Sequence, residues 1–115
     1  MGRFAAAHNL RNFQGRCEAL HGHNWKVEVV VEGQDLDQAD LLMDFGELKR
    51  LLNQTLDQLD HCHLNQVPPF DQCNPSSEMI AKYLYETIAA QLPPQVKIAE
   101  VSTWESEDSK ATYLG

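Results

Sequence analysis

No apolar run in the sequence approaches the roughly 20 residues that a membrane-crossing helix needs. The start, Met1-Gly2-Arg3-Phe4, lacks the apolar core of a secretory signal, so the expected compartment is the cytoplasm. Basic residues are scarce: nine Lys and Arg stand against seventeen Asp and Glu, a net charge of −8. That argues against non-specific nucleic-acid binding, which depends on a basic footprint. It leaves room for an anionic small molecule, because a pocket can be locally positive on an acidic protein. The three cysteines, Cys17, Cys62 and Cys73, are too few and too odd in number for a disulfide framework, and a reducing compartment suits them. No CxxC pair occurs, so a ribbon-type zinc site is unsupported. Repeats, linkers and low-complexity tracts are also missing. What remains is a chain of 115 residues, 43% hydrophobic, the size of one small domain spanning 1–115. A domain this small buries a modest share of its surface, and oligomerisation is a natural source of further stability.

From Asn24 to Glu32, Trp25, Val27, Val29 and Val31 alternate with Lys26, Glu28, Val30 and Glu32. This is the period of a strand with one buried face, and Val30 suggests that the polar face is partly covered. The spacing of Phe45, Leu48, Leu52, Leu56 and Leu59 predicts a helix over 45–59, with Asp44 as N-cap and Glu47 completing a capping box. A second helix is expected over 77–92, with Ile80, Leu84 and Ile88 as its stripe, Ser76 as cap and Pro93-Pro94 as stop. Residues 96–105 read as a strand whose alternation slips between Ile98 and Val101, as at a bulge. A polar turn over 106–109 and a short return strand over 111–114 follow, and 3–7 is a weaker strand candidate. Strand, strand, helix, helix, strand, strand is an α+β order, which favours an antiparallel sheet with helices on one face.

All five histidines fall within 8–23 and 61–63. In His21-Gly22-His23, residues i and i+2 of a strand point to one face, so both imidazoles can reach one ion. His8 supplies a third nitrogen if the two segments pair. Three histidines leave one tetrahedral position open, the pattern of a catalytic zinc site. A surface His-Gly-His without metal is the bland alternative, favoured for that motif alone but not with His8 beside it. Cys17 has three readings: a thiolate base or nucleophile, a fourth zinc ligand that closes the site, or a small buried apolar residue. Asp60-His61 is a candidate acid–base pair, although each residue alone reads more simply as a helix-end charge. Glu105, near the end of a strand, can accept from two adjacent N–H donors, but by sequence alone a solvated glutamate is preferred. Arg11, Arg16 and Lys26 lie near these motifs and default to solvated surface charges.

Taken together, Phe4-Ala5-Ala6-Ala7-His8, Cys17-x-x-x-His21-Gly22-His23, Met43-Asp44-Phe45, Leu59-Asp60-His61, Leu64-Asn65 and Asn74-Pro75-Ser76-Ser77-Glu78 resemble the 6-pyruvoyl tetrahydropterin synthase family, which includes 6-carboxytetrahydropterin synthase. The match spans nearly the whole chain. The resemblance implies a tunnelling fold, a four-stranded antiparallel sheet with two helices on one face. It also implies that oligomerisation joins the sheets into barrels, in a homohexamer with active sites between subunits. His8, His21 and His23 would be the zinc ligands, Cys17 the catalytic thiol, Asp60 and His61 the rest of the proton-transfer group, and Glu105 the anchor of the pterin ring. The sequence departs from the family pattern in a short first strand, in Ser76 and Ser106 where threonine is usual, and in Trp25 where Tyr or Phe is common.

The reading that follows is a zinc-dependent lyase. It would convert 7,8-dihydroneopterin triphosphate to 6-carboxytetrahydropterin, with release of acetaldehyde and triphosphate, for queuosine (7-deazaguanine) synthesis. The runner-up forms the 6-pyruvoyl product from the same substrate. A rival of another class is a non-catalytic, zinc-stabilised binding module, in which Cys17 ligates the metal and Asp60, His61 and Glu105 lie apart from it. The expected partners are the pterin triphosphate and further copies of the chain, with no nucleic acid and no membrane.

Overall fold

The computed structural model describes residues 1–12 and 18–115. Along the chain it contains β1 (Gly2–His8), β2 (His21–Glu32), α1 (Phe45–Asp57), β3 (Cys62–His63), a 3₁₀ turn at Leu64–Gln66, α2 (Ser77–Ala89), β4 (Lys97–Ser106) and β5 (Ser109–Tyr113). Alternation along β2 buries Trp25 and Val27 completely, while Asn24, Lys26 and Glu28 face the other way. On β1 the same alternation buries Phe4, Ala6 and His8. Phe4 stacks on Trp25 across the β1–β2 pair. This face of the sheet meets Leu52, Leu56, Ile80, Leu84 and Ile88 from the two helices in one apolar core.

The sheet order is β3-β1-β2-β4-β5. The expected four antiparallel strands are its body, but the sheet has five strands and is mixed, because β3 pairs parallel with β1 through Ala6–Cys62 and Ala7–His63. Two residues are too few for any periodicity to announce a strand. The turn into β3 is instead made by His61, whose left-handed backbone (φ 57°) lets its N–H donate to the Ala5 carbonyl. The bulge expected in β4 is present: Val30 pairs with Glu100 and Val31 with Ile98, so Ala99 is the extra residue.

Both caps form as expected, Asp44 accepting from the Gly46 N–H and Ser76 from the Met79 N–H. Two details differ. Glu47 pairs with Arg50 one turn on rather than closing a capping box. Phe45 is 76% exposed, because the first helical turn stands clear of the sheet and the buried stripe begins only at Leu51 and Leu52. The helices also stop two or three residues early, at Asp57 and Ala89, yet Leu59 stays fully buried in the turn after α1.

Candidate metal centre

Pairing of β1 with β2 sets the register of the site. His8 lies opposite His21 and Ala6 opposite His23, so the period-2 rule brings three imidazoles to one face at the end of the hairpin. Their ring centroids are 4.7–5.2 Å apart. Beneath them, Trp25 is fully buried, edge-on to His8 and His23, and donates its indole N–H to the Ala6 carbonyl. Glu105 reaches the same point from β4. It stands just beyond the last β2–β4 pair, Lys26–Trp104, and at the register shift between the Trp104–Lys110 and Ser106–Ser109 pairs. One ligand atom from each of His8, His21, His23 and Glu105 lies within 4.8 Å of all the others.

The tautomers are set by neighbouring carbonyls. His8 Nδ1 donates to the Pro75 carbonyl at 2.7 Å and His21 Nδ1 to the Ala19 carbonyl at 2.8 Å. Each ring therefore presents an unprotonated Nε2, the arrangement that metal-bound histidines adopt through their outer partners. His8 is 2% exposed, and its Nε2 has no hydrogen-bond partner; nor has the buried Nε2 of His23. Leaving such atoms unpaired costs about 1–3 kcal/mol each. Burial lowers the pKa of His23 from its ordinary value; Glu105 opposes that shift, and His8 and His21 reinforce it. A lowered pKa favours the neutral imidazole, the form that a metal ligand requires. These residues fit a zinc ion, whose preferred donors are imidazole and carboxylate at tetrahedral spacing.

A clasp absent from the residue-by-residue reading positions His8. Asn65 exchanges two hydrogen bonds with the backbone of Asn9, at 3.0 and 2.8 Å, and Asn74 does the same with Arg11, at 2.8 and 2.9 Å. Arg11, expected as a solvated charge, instead donates through Nη2 to the carbonyls of Phe70 and Cys73. The segment after β1 is thereby fastened to the loop that carries Pro75. An asparagine side chain imitating a strand leaves no pattern that spacing can reveal. Lys26 likewise is not simply solvated; its ammonium lies 4.5 Å from the Trp104 ring centroid.

Asp60 and His61 form a second centre. The Asp60 carboxylate accepts from the Ala5 N–H at 2.8 Å and lies 3.0 Å from His61 Nδ1. The Ala5 hydrogen bond, followed by His61, lowers the Asp60 pKa. This pair is on the β3 edge of β1, and the histidine cluster is on the β2 side. The His61 side chain is 84% exposed. Cys17 and Arg16 lie outside the described residues. Glu105 is against the histidines, contrary to the purely structural module, whereas the Asp60–His61 pair is apart from them within this chain.

The family model for 6-pyruvoyl tetrahydropterin synthase matches residues 1–115. The chain belongs to that family of lyases. Among curated relatives, it is 37% identical to the dihydroneopterin monophosphate aldolase of Pyrococcus furiosus over 105 residues, covering 91% of this chain and 85% of that one. It is 28% identical to the 6-carboxy-5,6,7,8-tetrahydropterin synthase of Aquifex aeolicus over 123 residues, covering 85% and 75%. The fold superposes on 6-pyruvoyl tetrahydropterin synthase of Caenorhabditis elegans with a TM-score of 0.81, at 24% identity, covering 99% of this chain and 91% of that one. Among the described residues, no helix is long and apolar enough to cross a membrane.

Proposed function

We propose that the protein is a zinc-dependent lyase converting 7,8-dihydroneopterin triphosphate and water to 6-carboxytetrahydropterin, acetaldehyde and triphosphate. The observation that carries this reading is the set of three imidazoles whose Nε2 atoms converge with a Glu105 oxygen, His8 Nε2 being buried without a hydrogen-bond partner and His23 Nε2 lying 2.7 Å from Glu105 Oε1. His8, His21 and His23 would hold the ion, which when bound supplies Lewis-acid stabilisation of negative charge on side-chain oxygens of the substrate. Glu105 accepts from the amino group and adjacent ring N–H of the pterin, a two-point match for its two oxygens. The Cys17 thiolate and the Asp60–His61 pair move protons at neighbouring side-chain carbons.

The distance between the histidine cluster and the Asp60–His61 edge of β1 is accounted for if a neighbouring subunit supplies the pair. This is consistent with a tunnelling-fold homohexamer in which the sheets join edge to edge into barrels. Pairing edges would also cover the exposed backbone groups of β3 and β5. The chain acts as one domain, in the cytoplasm, with a place in queuosine synthesis.

Product analysis with the triphosphate substrate tests the reading: acetaldehyde in step with 6-carboxytetrahydropterin supports it, and a 6-pyruvoyl product without acetaldehyde overturns it. A second reading has its own support, the 37% identity to an enzyme named for aldol cleavage of dihydroneopterin monophosphate. It predicts cleavage of the C1′–C2′ bond of the monophosphate instead, giving a 6-hydroxymethyl pterin and a two-carbon hydroxyaldehyde that still carries the phosphate. Cys17→Ala should abolish turnover and keep the metal; loss of metal would mean that the thiol is a ligand.

A further inference from the structure

We infer that the helix-free face of the sheet carries an anion site for a condensed phosphate chain, built on Arg3, Lys26, Trp104 and Lys110. Strand pairing sets these four side by side across β1, β2, β4 and β5: Arg3 opposite Lys26, Lys26 opposite Trp104, and Trp104 opposite Lys110. Lys26 lies between Trp25 and Val27, both fully buried against the helices, so its row points to the other face. None of the four belongs to the proposed metal and pterin site, which is on the helix side of the sheet, against Pro75 and Ser77.

The row runs against the electrostatics of the rest of the chain. Nine Lys and Arg stand against seventeen Asp and Glu, yet three of the nine are together here. Among the described residues, none of the three forms an ion pair or a side-chain hydrogen bond; the one ion-paired Arg or Lys is Arg50, with Glu47. Like charges directly opposite on paired strands repel, as Arg3 and Lys26 must. Lys26 and Lys110 also share the Trp104 ring, their ammonium groups 4.5 and 5.1 Å from its centroid. An anion between them relieves the repulsion and engages donors that no other described group uses.

The place for it is a recess of about 570 Å³ bordered by Arg3, Asn24, Lys26 and Trp104. Glu105 and Glu107 border it toward the β4–β5 turn, and the Glu105 carboxylate is turned to the histidines. Glu28, next after Lys26 on the same face, bounds the row on its other side. Carboxylates on both flanks and cations along the row favour a ligand that lies across the strands. At a strand spacing of about 4.8 Å, the row is roughly 14 Å wide. Orthophosphate meets one or two of these cations, whereas a chain of phosphates reaches three. Each contact is a charge-assisted hydrogen bond from Lys or Arg to a phosphate oxygen.

Isothermal titration of the zinc-loaded protein with sodium tripolyphosphate tests this site. The anion should bind about ten-fold more tightly than orthophosphate, and its affinity should fall as salt is raised. Lys26→Gln and Lys110→Gln should each weaken it by about ten-fold, while Lys49→Gln on α1 leaves it unchanged. The same titration on His21→Ala separates the row from phosphate held by the metal, and its Kd should match that of the wild type. ATP in place of tripolyphosphate separates the sources. Tighter ATP assigns the row to the phosphate chain of a nucleotide, tighter tripolyphosphate to a free inorganic anion, and either supports the inference. No binding at low salt overturns it. So does tripolyphosphate bound as tightly by the folded double variant of Lys26→Gln and Lys110→Gln as by the wild type, and so does binding that is lost in His21→Ala.

Discussion

The two edges of β1 carry two clusters built from the same kinds of residue in opposite states of completion. On the β2 side, His8 buries a ring nitrogen without a hydrogen-bond partner and His23 faces only the Glu105 carboxylate, at 2.7 Å, although outer carbonyls fix the tautomers of His8 and His21. On the β3 side, Asp60 has the Ala5 N–H and His61 as partners, and His61 turns its ring to solvent. The first cluster is arranged at a cost of about 1–3 kcal/mol for each orphaned atom, which a bound metal ion would offset. The Asp60–His61 pair is locally satisfied and accessible, although His63 on β3 beside it also buries an Nε2 without a partner. A histidine cluster signals function by what it leaves unsatisfied, whereas a dyad does so only when something else is brought to it.

The comparison breaks most visibly at His23. His23→Ala removes a proposed ligand, so zinc affinity should fall by more than the roughly 10–100-fold that loss of an outer partner costs, and turnover should vanish with it. Metal analysis after dialysis reads this, and stoichiometric zinc with normal turnover would show that the orphaned nitrogens mean nothing. His61→Ala should leave zinc and folding intact while turnover drops roughly 10²–10⁴-fold, the usual contribution of a general acid–base group. Unchanged turnover would reduce the β3-side pair to a turn device. Arg11→Ala strips partners from the Phe70 and Cys73 carbonyls and loosens the loop that presents Pro75 to His8. We expect a loss of about 1–3 kcal/mol in denaturant unfolding, with weaker zinc binding, whereas a lysine-like solvated charge would show neither.

The smallest effect concerns Asp60. Its folded pKa is lowered, chiefly by the Ala5 N–H. It therefore contributes stability above the unfolded carboxyl value of about 3.9, and that contribution is lost as pH falls through the lowered folded value. Wild type and Asp60→Asn should differ in stability at neutral pH and converge in acid. Curves that stay parallel into acid would mean that the Ala5 bond does not depend on the charge.

Much of this molecule was legible in one dimension. The alternation along 24–32, the leucine spacing after Asp44 and the slip between Ile98 and Val101 each correspond to a formed element, down to the bulge at Ala99. His21-Gly22-His23 needed only the two-residue period to bring two rings together. Short elements and side chains that imitate backbone were not legible: β3 has two residues, and Asn65 and Asn74 act as ladder rungs with no repeat to betray them. Phe45 shows the reverse error, since a position on the stripe is buried only if the helix meets the sheet there, and its first turn does not.

Sequence alone determined which side chains share a face, because the periods of strand and helix are local properties of the backbone. It also determined the family, through motifs spread over the whole chain. Which faces meet was decided in three dimensions. Strand pairing joined His8 to His21 across a gap of twelve residues, and β4, arriving from the far end of the chain, set Glu105 against them. Distances between segments remote in sequence depend on register and packing, and no local period encodes them.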